Sequence, residues 1–190
     1  MNEKREIPPE TDEALMIRYQ GGDMEAFHQL YFRYEKKLYN YLLKSVGDAE
    51  KSADLFQEVF LKLHRFRAQY NPQQPFAPWC FAIAANTVKN AFRAQRGNDE
   101  EFNDETFSLS QRVRFQPERQ VEEQELGAAI EAALLALPAN QREVILLSKM
   151  EGFSYSEIAQ VLGMTSNAVK QMAHRGLIAL RKQLAEWMTP

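Results

Sequence analysis

Cysteine is nearly absent from this chain of 190 residues: Cys80 stands alone, so no disulfide can form within it. The three histidines, His28, His64 and His174, lie far apart and have only Cys80 as a possible thiolate companion, so no metal-ligand spacing is visible. Residues 79–85 form the longest unbroken apolar run, too short to cross a bilayer. Residues 1–13 lack the apolar stretch of a secretory leader. These absences lead to the expectation of a protein of the reducing cytoplasm, with no metal, no cofactor and no membrane insertion of its own.

A further absence is local. The chain is slightly acidic overall, with 23 Lys and Arg against 26 Asp and Glu and a net charge of −3, which argues weakly against nucleic acid. Acids are nevertheless missing from two windows. Residues 59–98 hold none, but contain Lys62, His64, Arg65, Arg67, Lys89, Arg93 and Arg96. Residues 158–185 hold none, but contain Lys170, Arg175, Arg181 and Lys182. Between them, residues 99–126 carry nine acids against three arginines. Two basic modules joined by an acidic strap suit phosphate binding, because local surface charge counts for more than the total.

The second window reads as a helix-turn-helix. Ser154 and Glu157 have the capping-box spacing, and Phe153 and Ile158 the spacing of a hydrophobic staple. Ile158, Val161 and Leu162 share one helical face, and Ala159 is small where a second helix must pass close. Gly163 supplies a left-handed turn, and Thr165 or Ser166 caps the next helix. That helix turns Val169, Met172 and Ala173 inward. Its other face carries Asn167, Lys170, Gln171, His174 and Arg175, polar groups that a major groove can receive. An ordinary helical hairpin would share the cap and the turn, but not their coincidence with a basic face.

The rest of the chain is also predicted to be helical, and apolar content of 45% is enough for real cores. A short helix is expected near residues 12–20. Asp23 caps a helix reaching about Val46, with Phe27, Leu30, Tyr31, Tyr34, Leu38, Tyr41 and Leu42 as its buried stripe. Gly47 ends it and Asp48 opens another that buries Ala53, Phe56, Val59, Phe60, Leu63 and Phe66. Three prolines make residues 68–78 a loop, followed by a helix from about Ala77 to Arg96. The expected organisation is all-α, with two small helical domains at 1–96 and 120–190 and an acidic flexible linker at 97–119. The second domain is predicted to break at Pro138 and to resume a helix near Asn140.

On the helix after the loop, Trp79, Ile83, Asn86 and Asn90 form one continuous stripe. A ring beside amide side chains suits a base taken out of a duplex: the ring stacks and the amide reads an edge. Lys89 and Arg93 would hold the backbone.

Together these residues resemble a sigma factor of bacterial RNA polymerase, of the small extracytoplasmic-function type. The run Asp54-Leu55-Phe56-Gln57-Glu58-Val59-Phe60-Leu61-Lys62-Leu63 is similar to the family's polymerase-binding helix in region two. Phe76 and Trp79, followed by Ile83, Ala84 and Asn86, resemble its strand-opening segment. Leu137-Pro138, Gln141-Arg142-Glu143-Val144 and Ser154-Tyr155 with Glu157-Ile158-Ala159 resemble region four. The resemblance spans about residues 15–184. It implies a specificity subunit with no catalytic residues, which binds core RNA polymerase and promoter DNA and is silenced by an anti-sigma partner. It also implies roles. Asp54, Gln57, Glu58 and Leu61 would meet the polymerase clamp. Arg67, Gln69, Tyr70, Asn71, Gln73, Phe76, Trp79, Asn86, Lys89, Asn90 and Arg93 would meet the minus-ten element. Ser166, Asn167, Lys170, Gln171, His174 and Arg175 would meet the minus-thirty-five element. The acidic stretch resembles linkers that occupy the RNA path.

The chain departs from the family at three places. Met172 stands where many members carry Arg, Gly176 where they carry Ala, and Cys80 where Leu is usual. Cys80 is expected to be a small buried hydrophobe rather than a redox sensor. The competing function is a stand-alone helix-turn-helix repressor or activator, but that leaves the 54–63 helix and the basic loop without a role. An enzyme acting on DNA would need an acidic cluster or a nucleophile in a basic cleft, and none is visible.

Overall fold

The computed structural model describes residues 10–96 and 121–185, and all its helices are short enough to be set by local signals. They are α1 (Asp12–Gln20), α2 (Met24–Val46), α3 (Ala49–Phe66), α4 (Phe76–Arg96), α5 (Val121–Leu135), α6 (Ala139–Lys149), α7 (Tyr155–Leu162) and α8 (Ser166–Gln183). A single 3-10 turn, Arg67–Gln69, follows α3. The architecture is all-α, as expected. The acidic linker expected at 97–119 lies outside the described residues.

Several starts are chemically marked. Asp23 accepts from the amides of Glu25 and Ala26, Asp48 from that of Lys51, and Thr165 from that of Ala168. Ser154 and Glu157 close a full capping box. Such caps contribute about 0.5–2 kcal/mol each by satisfying amides that the helix leaves free. Gly47 (φ 76°) and Gly163 (φ 66°) end α2 and α7 in the left-handed region, where a side chain would be strained. Pro138 precedes α6, whose first turn needs no amide from it.

α1 to α4 form the first module. Leu15, Met16 and Tyr19 of α1 are buried with Leu30, Tyr34, Leu38 and Leu42 of α2 and Val59 and Leu63 of α3. A ladder of rings stitches α2 to α3: Tyr31 meets Phe60 at 4.8 Å between centroids and Phe56 at 6.0 Å. α5 to α8 form the second module, centred on Val144, Leu146, Leu147, Ile158, Val161, Val169 and Ala173.

The modules do not stand apart. α2 touches α5 and α6, α4 touches α7, and one continuous apolar core runs through both. Phe81 of α4 meets Phe153, just before α7, edge to face. This seam is mixed in character. Tyr41 and Ser45 of α2 and Arg142 of α6 are buried, and among the described residues Arg142 Nε has no hydrogen-bond partner. Arg142 does donate from Nη1 to the carbonyl of Leu135 at 3.1 Å. A buried polar atom without a partner costs about 1–3 kcal/mol, so apolar contact holds the seam and Arg142 Nε weakens it.

Candidate nucleic-acid interface

Three helices turn an unused polar face to solvent. On α3, the apolar side of the helix is committed to the core, which leaves Asp54, Gln57, Glu58 and Leu61 exposed in one stripe. Leu61 is 69% exposed, a large apolar side chain that the described residues leave uncovered. Glu58 is paired with Lys62 at 2.6 Å, and Lys62 also donates to Thr87 of α4 at 3.1 Å. No sequence pattern announces this cross-link between the stripe and α4.

On α4, Asn86, Asn90 and Arg93 are exposed, while Trp79, Ile83 and Lys89 are half-buried. Trp79 lies 5.0 Å from the Tyr70 ring and 5.9 Å from that of Phe76. One face of its indole is thus backed by aromatics. Burial pushes the carboxyl of Glu143 on α6 up to about 7, against the opposing charges of Arg142 first and then of Lys89.

The loop between α3 and α4 separates its side chains by role. Gln69, Asn71 and Gln73 are exposed. Tyr70 and Phe76 were expected to meet DNA but are buried at 3% and 1% exposure. Their rings meet edge to face 5.9 Å apart, each close to Trp79, and the Tyr70 hydroxyl donates to the carbonyl of Gln74. They lie beneath the loop. Pro72 sits in a tight turn at 71–74, closed by the Gln74 amide on the Asn71 carbonyl at 3.0 Å, and the aromatic cluster supplies the core under that turn. Arg67 is half-buried, 5.9 Å over the ring of Tyr19.

On α8, Ser166, Asn167, Lys170, Gln171, His174 and Arg175 are all exposed, and Val169 and Ala173 are buried. Lys170, Arg175, Arg181 and Lys182 form no ion pair among the described residues. Met172 is half-buried against the core, so it packs and leaves the outward face to its neighbours. Gly176 is buried where α8 crosses α6; a β-carbon there would lie 3.1 Å from Ile145 Cγ1. Both departures thus have packing explanations. Cys80 is fully buried and free, and burial pushes its thiol up, so it is a poor nucleophile.

Among the described residues, no group of acids, histidines and cysteine could hold a metal ion. No described helix is long and apolar enough to cross a membrane.

The family profile for sigma-70 region 2 matches residues 30–97, and that for sigma-70 region 4 matches residues 127–180. The chain is 33% identical over 171 residues to the RNA polymerase sigma factor CarQ of Myxococcus xanthus, covering 90% of this chain and 96% of that one. This chain belongs to the sigma factors of the extracytoplasmic-function type. It is also 30% identical over 172 residues to the extracytoplasmic-function sigma-E factor of Haemophilus influenzae, covering 87% of this chain and 90% of that one. The fold of this sigma factor is similar to that of CnrH, solved in complex with the cytosolic domain of CnrY. The TM-score is 0.70, at 24% identity, over 93% of this chain and 99% of that one.

Proposed function

We propose that this sigma factor joins core RNA polymerase through the α3 stripe, opens and reads the minus-ten element with α4 and its preceding loop, and reads the minus-thirty-five element with α8. The observation that carries this reading is the triple segregation just described: three helices whose apolar sides are spent in the core and whose free sides carry distinct chemistry. The α3 face is acidic and amide-rich with one bare Leu61, suited to a protein. The α4 face sets an indole beside amides, suited to an unstacked base. The α8 face is unpaired and basic, suited to a groove.

The division of labour follows residues 1–96, 97–119 and 120–190. The protein acts as a specificity subunit in the cytoplasm and performs no bond chemistry. Tyr70 and Phe76 support Trp79, while Gln69, Asn71 and Gln73 supply the loop's side-chain contacts. Lys89, Arg93 and Arg67 meet phosphate. CnrH is held by the cytosolic domain of CnrY, and a protein partner of the same kind silences this chain by binding the closed form, in which the modules already touch.

Run-off transcription with core enzyme and genomic fragments tests the reading. Transcripts starting at defined sites only when this chain is present are the expected result. Tight binding of the chain alone to duplex operators, with no transcripts in the presence of core, would instead establish a stand-alone regulator.

A further inference from the structure

α1 does more than pack: three of its side-chain contacts go to the backbone of the loop between α3 and α4 and of the first residue of α4. Gln20 Nε2 donates to the carbonyl of Arg67 at 2.8 Å and to that of Tyr70 at 2.9 Å. It thereby grips both ends of the 3-10 turn. At the other end of α1, Glu13 Oε1 accepts from the amide of Phe76 at 2.9 Å, the first residue of α4. That amide has no partner within its own helix, so the carboxylate acts as a cap from another element. Between these anchor points lie Asn71, Pro72, Gln73 and Gln74, the exposed front of the loop.

α1 is itself immobilised. Asp12 accepts from Arg33 Nη1 at 2.6 Å and from the hydroxyl of Tyr34, both on α2. Tyr19 shares a 2.6 Å hydrogen bond with His64 Nδ1 at the end of α3. Leu15, Met16 and Tyr19 are buried beneath. A rigid strut therefore holds the backbone of the loop at residues 67, 70 and 76 and leaves Gln73 and Gln74 exposed between them, with Asn71 accepting from the Gln73 amide at 3.0 Å. Backbone anchors fix where side chains point whatever those side chains are, which is the requirement for reading bases.

We propose that Glu13 and Gln20 are positioning residues for minus-ten recognition: they set the base preference of the loop without touching DNA. The proposal rests on the reading of the 70–75 loop as the minus-ten reader. Buried Leu15, Met16 and Tyr19 hold the fold of α1; half-buried Glu13 and Gln20 are directed at the loop.

The test uses the full chain with core polymerase on a promoter pool randomised through the minus-ten element, with transcript start sites sequenced. Four variants are compared with the parent: Gln20→Met, which keeps length and helix propensity but removes the donor; Glu13→Leu; Glu13→Gln, which keeps an acceptor; and the loop double variant Asn71→Ala with Gln73→Ala. Core binding and thermal unfolding are measured in parallel. The expected result is a flattened base preference in the loop variant. At the same positions, Glu13→Leu, which removes one hydrogen bond, should lower the enrichment of the preferred base about five-fold, and Gln20→Met, which removes two, by at least as much. Glu13→Gln should keep the parental preference, and core binding should be unchanged throughout. If the loop variant flattens the preference but Gln20→Met and Glu13→Leu keep it, α1 merely packs and the proposal fails while the loop reading stands. If Gln20→Met and Glu13→Leu lower transcription from every sequence alike together with the melting temperature, the role is structural and the proposal fails. If even the loop variant keeps the parental preference, the loop is not the reader and both fall together.

Discussion

Phe153 meets Phe81 edge to face, with centroids 5.4 Å apart and planes at 89°. The contact joins the residue before the α7 capping box to the middle of α4, and so ties the two modules together. An aromatic pair of this geometry contributes about 0.5–1.5 kcal/mol beyond its buried area. Phe153→Ala should therefore loosen the seam while leaving helix content intact, because the Ser154 and Glu157 cap is untouched. Energy transfer between dyes on α3 and α8 should fall. An unchanged transfer efficiency would show that the seam does not depend on this pair.

Glu143 makes the same seam sensitive to pH. Burial pushes its carboxyl up to about 7, while Arg142 beside it and Lys89 of α4 pull it down; Tyr41 of α2 also faces it. Its ordinary value is 4.5. A raised carboxyl means that the closed form holds the proton more tightly than the open one. The resulting stabilisation of closure is complete below the ordinary value and is lost as pH rises through about 7. Dye transfer should decline between pH 5 and 8, and Glu143→Gln should abolish that decline. A flat profile in the parent protein would remove Glu143 from the seam's energetics.

Gly176 illustrates a local rule overridden by packing. Ala is better than Gly inside a helix by about 1 kcal/mol. Here the added β-carbon meets Ile145 Cγ1 at 3.1 Å and Gln141 Cβ at 3.5 Å. Gly176→Ala should come out near neutral in urea unfolding, and Gly176→Val should cost about 1–3 kcal/mol through overpacking. A Val variant as stable as the parent would mean that α8 can shift away from α6 freely.

On α8, Arg175 and Lys170 are separable. If Arg175 grips a guanine edge, Arg175→Ala should cost about 1–3 kcal/mol at one base position. If Lys170 meets phosphate, Lys170→Ala should weaken every duplex alike and lower the salt slope by about one. Binding titrations across salt and sequence distinguish these; exchanged behaviour would swap the roles.

Much of the fold was legible because it is encoded locally. The caps at Asp23, Asp48 and Ser154, the turns at Gly47 and Gly163, and the inward Val169, Met172 and Ala173 each follow from residues within one or two turns. The α3 and α8 stripes were legible for the same reason: a helix that buries one side must show the other. What stayed hidden acts across the fold. Gln20 reaches carbonyls 47 and 50 residues away, and any residue supplies a carbonyl, so no pattern announces it. Tyr70 and Phe76 are assigned to the minus-ten element by resemblance alone, because burial beneath a proline-rich turn leaves no periodicity that would reveal it. Phe153 has the spacing of a staple partner for Ile158, but its recorded ring contact is with Phe81 on the other module.

α2 is 23 residues long, about 34 Å from end to end. It packs against α1, α3 and α4, and it also packs against α5 and α6. A helix shared in this way couples the melting of everything it supports. While the seam is closed, calorimetry should record one cooperative transition for the chain, and loosening the seam should split the endotherm in two. The number of heat-absorption peaks thus becomes a readout of whether the protein is shut or extended.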